Sequence, residues 1–69
     1  MSERYEIVTA GPVGSFATEP LEDLESSPAG PGQWRVVGTV PDGAALLGVL
    51  HRLADLHIEL IEVRRISKT

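Results

Sequence analysis

The stretch Pro41-Asp42-Gly43-Ala44-Ala45-Leu46-Leu47-Gly48-Val49-Leu50-His51-Arg52-Leu53-Ala54-Asp55-Leu56-His57, running directly into Ile58-Glu59-Leu60-Ile61-Glu62-Val63-Arg64-Arg65-Ile66, decides the fold. Leu46, Val49, Leu50, Leu53 and Leu56 recur at the i, i+3, i+4, i+7 spacing that lines up one stripe of a helix. Ala44, Gly48, His51, Arg52 and Asp55 fall on the other side, while Leu47 and Ala54 widen the apolar sector beyond what one sheet contact needs. Asp42 is a good N-cap, since its carboxylate can accept from a first-turn N–H at the positive end of the dipole. Pro41 ends the preceding strand, and the run from Ile58 reads as another.

Working outward, Tyr5 to Ala10 and Gln33 to Val40 are rich in β-branched and aromatic residues and are bounded by Gly and Pro, which marks strands. Both read as apolar on two sides. Tyr5 and Ile7 oppose Val8 and Ala10; Trp34, Val36 and Val40 oppose Val37. In the last strand Ile58 and Leu60 oppose Ile61 and Val63 unless a bulge shifts the register. Between these strands, Pro12 to Thr18 suits a single helical turn, and Glu19 to Leu24 an edge strand that tolerates Pro20. Residues 26–32, Ser-Ser-Pro-Ala-Gly-Pro-Gly, read as a flexible connection.

The order β, short α, edge β, β, long α, β predicts a single α+β domain over residues 1–69. One main helix lies on a three- or four-stranded sheet, a compact ferredoxin-like sandwich with strand order 4-1-3-2. A three-stranded ββαβ unit is the alternative. At 69 residues such a domain buries roughly 60% of its unfolded surface and needs outside support. With no cysteine, disulfides and thiolate metal sites are excluded. Self-association remains.

Six Lys and Arg against ten Asp and Glu give a formal net charge of −4, which works against attraction to phosphate backbones or anionic lipid. The charged opening Met1-Ser2-Glu3-Arg4-Tyr5-Glu6 precedes only a short apolar run, unlike a signal peptide or membrane span. The expectation is therefore a cytoplasmic chain with neither nucleic acid nor membrane as partner.

Two segments carry a resemblance. Gly38-Thr39-Val40-Pro41-Asp42-Gly43-Ala44-Ala45-Leu46 and Leu56-His57-Ile58-Glu59-Leu60-Ile61-Glu62-Val63-Arg64-Arg65 look like the carboxyl-terminal half of small uncharacterised proteins of high-GC bacteria, with a weaker echo in Tyr5 to Gly11. Those proteins often have Gln in place of Gly43 and Gly in place of His57. The latter matters because the residue just past a helix often takes a positive φ, which Gly permits and His accepts at a cost. The resemblance implies fold and size and carries no activity.

The residues offer little chemistry. His51 and Asp55 share a helix face at i,i+4 spacing, but two ligands do not make a metal site. His57 suits the negative end of the helix dipole better than catalysis. Glu59 and Glu62, three apart in a strand, point to opposite sides and form no carboxylate pair. Ser15, Ser26, Ser27 and Ser67 lack the strand-turn-helix setting of an activated serine. Gly11-Pro12-Val13-Gly14-Ser15 lacks both the third glycine of a dinucleotide fingerprint and the lysine of a phosphate loop. Tyr5, Trp34 and Phe16 have no basic surround to make them base-stacking residues. Glu19, Glu22, Asp23 and Glu25 at one end, and Arg64, Arg65 and Lys68 at the other, solvate edges or steer a contact.

No catalytic, cofactor-binding or metal residue is assigned. The expectation is a non-catalytic binding or interaction module, a homodimer joined through its sheet, with a small ligand or another protein as further partner. Its interface would comprise Val8, Val37, Ile61 and Val63 on the sheet face the helix leaves bare. The alternatives are a small accessory enzyme of a biosynthetic pathway, needing His51, Glu59 or Tyr5 to converge on a cavity, and a ligand-sensing regulatory module.

Overall fold

The computed structural model describes residues 3–14 and 18–68. Four strands, β1 (Glu3–Thr9), β2 (Glu22–Gly30), β3 (Gln33–Val40) and β4 (Leu60–Lys68), form one antiparallel sheet, and a single long helix, α1 (Gly43–Asp55), lies on it. The fold is α+β, with four strands rather than three. The order β2-β3-β1-β4 is 4-1-3-2 read from the opposite edge. Because β3 and β4 are each antiparallel to β1, they run in the same direction on either side of it, and α1 is the crossover between them.

Alternation along the strands sorts the side chains. Ile7 pairs with Val36 on one side and Val63 on the other, and this layer meets α1. Ile7, Leu21, Val36, Val40, Val49 and Leu53 make a continuous buried cluster, with Tyr5, Trp34, Leu46, Leu50, Ile58 and Val63 packed around it. Gly38 lies in the same layer, opposite Tyr5. A Cβ there would stand 2.9 Å from the Leu21 Cβ, so the missing side chain is what lets Leu21 pack over β3.

The helix ends follow local chemistry. Asp42 is extended (φ −161°, ψ 174°) and its Oδ1 accepts from the Ala45 N–H at 2.9 Å. At the other end the His57 N–H donates to the Ala54 carbonyl and the Ile58 N–H to the Leu53 carbonyl, a Schellman motif. His57 takes φ +59°, the left-handed conformation that a glycine would adopt without cost. The turn lifts Leu56 off the stripe, leaving it exposed, and seats Ile58 against the core instead.

Three expectations need correction. Residues 26–32 are not a flexible connection: β2 runs to Gly30 and joins β3 by a tight hairpin at Pro31 and Gly32. A proline fixed near φ −65°, followed by Gly32 at φ +70°, is the pair a type II turn requires. Pro28 is accommodated because β2 is an edge. Second, the strand begins at Glu22 instead of Glu19, so Pro20 precedes it. Third, Val63 belongs to the helix side, for the register of β4 shifts between Val8 and Thr9 and leaves Ile61 as the extra residue of a bulge. Of the helical turn expected over Pro12 to Thr18, residues 15–17, with Ser15 and Phe16, lie outside the described residues; Pro12, Val13 and Gly14 carry no helix, and Thr18 itself is helical.

Candidate functional site

The bare face of the sheet is built from the alternate residues of the same strands. Arg4, Glu6 and Val8 of β1 stand there beside Arg35, Val37 and Thr39 of β3, with Glu62 and Arg64 of β4 beyond. Glu6 is the centre. Arg35 Nε donates to its Oε2 and Arg64 Nη2 to its Oε1, the latter at 2.9 Å. Its side chain is only 8% exposed, against 43% for Arg35 and 61% for Arg64. The hydrogen bond from Arg35 holds the Glu6 carboxyl below its ordinary value; burial opposes this, and the hydrogen bond from Arg64 and the charge of both guanidiniums act with Arg35 to keep it lowered.

A second bracket ties the same face to the hairpin. Arg4 Nη1 donates to Thr39 Oγ1 (3.3 Å) and to the Asp23 carbonyl (3.5 Å), and Nη2 lies 3.7 Å from Glu25. Asp23 sits at φ +51° within the irregularity between Glu22 and Glu25, so Arg4 grips β2 where its ladder is interrupted.

Of the four expected interface residues, Val8 and Val37 do stand on the bare face, yet they are only 8% and 4% exposed. Val8 lies between Arg35 and Glu62, and Val37 between Glu6 and Glu25, so long neighbours shade them. Ile61 is exposed at its bulge, and Val63 is on the helix side. The structure does not bring the four together.

On the helix side, Glu3, Tyr5, Val40, Asp42 and Gly43 line a cleft of about 140 Å³ at the start of α1. The Tyr5 hydroxyl donates to Glu3 Oε1 at 3.1 Å, and Arg65 Nη1 lies 3.4 Å from Glu3 Oε2. The bond to Glu3 raises the Tyr5 phenol above its ordinary value, burial and the carboxylate charge add to it, and Arg65 opposes. His51 and Asp55 are exposed on the outer face of α1, and Glu59 is exposed before β4; none of them lines the cleft. Among the described residues no three His, Asp or Glu side chains could share a metal ion, and no helix is long and apolar enough to cross a membrane.

Residues 4–64 match the family described as Domain of unknown function (DUF8691). The chain belongs to that family. In this DUF8691 chain the matched span begins at Arg4 and ends at Arg64, so it takes in Glu6 and both its guanidinium partners. No curated protein and no solved structure matches the chain.

The ion-paired centre has its own signal in the sequence, which the hydrocarbon content of the strands hides. Arg4-Tyr5-Glu6-Ile7 and Glu62-Val63-Arg64 alternate polar and apolar, the signal of a sheet with one wet face.

Proposed function

We propose that this DUF8691 chain is a non-catalytic interaction module that works as a homodimer joined through its sheet, a reduced ferredoxin-like sandwich whose first helix has shrunk to a turn. The observation that carries the reading is the uneven cover of the sheet. One face is roofed by α1, whereas the other, among the described residues, is shaded by its own charged side chains, and Leu60, Ile61 and Ile66 of edge strand β4 are 42–45% exposed. So small a core gains from a partner. Sedimentation equilibrium of the full chain across a wide concentration range tests this: a reversible monomer–dimer equilibrium is expected, and a strict monomer at every concentration overturns it.

The cleft beside Tyr5 supports a second reading, a ligand-sensing module. It is smaller than the roughly 300–1,000 Å³ of ordinary ligand pockets, so only a small group would enter. A melting shift with methylamine, which the carboxylates of Glu3 and Asp42 would attract, tests it; no shift at saturating amine removes it.

A further inference from the structure

Resting on the homodimer reading, we infer that the contact is made by the outer edge of β4 against β4 of a second copy, antiparallel and centred on Val63. The two edges of the sheet differ in fitness for this. On β2, Pro28 offers no N–H, Asp23 breaks the extended backbone, and Glu22, Asp23 and Glu25 give like charges to any copy of the same strand. On β4 the segment Glu62–Arg65 pairs with β1 without interruption, between bulges at Ile61 and Ile66. Its outer backbone edge has no strand beside it among the described residues.

An antiparallel pair of identical strands is related by a two-fold axis perpendicular to the sheet, so each residue i faces residue 2c − i of the other copy, where c is the central residue. Centring on Glu62, Arg64 or Arg65 sets a charge against its own copy. Centring on Val63 alone puts a valine on the axis and places Glu62 opposite Arg64 of the second copy twice over, both pairs lying inside the uninterrupted segment. Glu62 and Arg64 share the bare face, as cross-strand partners must. Arg64 is 61% exposed while bonded to Glu6 through Nη2, leaving its other nitrogens for the second copy. The bulges that blunt the ends of the edge also confine pairing to this short segment, which keeps the assembly at two copies.

Charge reversal tests the pairing in the full chain. Glu62→Arg sets arginine against Arg64 of the other copy at two places, and dimer affinity should fall by about tenfold or more. Arg64→Glu should do the same. An equimolar mixture of the two variants restores both pairs and should form a heterodimer at wild-type affinity, with circular dichroism melting confirming that each variant folds. A wild-type dimer indifferent to Glu62→Arg, or variants that fail to rescue one another, overturns the β4 contact and leaves the homodimer reading intact. A wild-type chain that never dimerises overturns both.

Discussion

The two faces of the sheet are made by the same strands and are closed by different physics. Ile7 and Glu6 are neighbours on β1 and both are buried, yet Ile7 is covered by hydrocarbon from α1 and flanking strands, and Glu6 by two guanidiniums it holds in place. A face need not be roofed by another layer to be dry at its centre; a short ladder of long charged side chains shades two valines.

The comparison breaks most sharply at the core. Ile7→Ala removes packing between α1 and three strands and should cost about 2–5 kcal/mol in urea unfolding. Val8→Ala, one residue along, should cost clearly less, since the flexible arginine and glutamate beside it can settle into the gap; equal losses would mean that the two faces are equally rigid. Gly38→Ala overfills the helix side, because the new methyl meets the Leu21 Cβ at 2.9 Å and Leu21 has no free end to move there. A loss of about 1–3 kcal/mol is expected.

On the bare face, Glu6→Gln leaves both guanidiniums without their shared charge and should cost about 1 kcal/mol, the low end for charge-assisted bonds because the arginines are half in water. Its acid dependence is the sharper readout. The folded-state value of Glu6 lies below the ordinary 4.5, so its contribution is fully present above that value and is lost as pH falls through the depressed one. Urea midpoints followed from neutral pH downward should decline less steeply in Glu6→Gln than in the wild type. The smallest effect should come from outside both faces: His57→Gly relieves the left-handed backbone and should raise stability by up to about 1 kcal/mol, measured as a higher melting temperature. A fall instead would mean that the imidazole contributes more at the helix end than its backbone costs.

Much of this was legible in the residues. The cap at Asp42, the stripe through Val49 and Leu53, and the three β-rich runs are local patterns, and each produced the element it implied. The hairpin was not legible, because Pro28, Gly30, Pro31 and Gly32 are as common in loose connections as in an edge strand with a tight turn. Only pairing with β3 decides between them.

What the chain by itself determined is the kind and order of its elements, since capping, helical periodicity and strand alternation act over a few neighbouring residues. What only the tertiary structure decided is which side chains meet. One inserted residue at Ile61 turned Val63 from the bare face to the core, and Glu6 found Arg35 and Arg64 at separations of 29 and 58 residues. Register is set by the whole sheet closing at once, and no local pattern carries it.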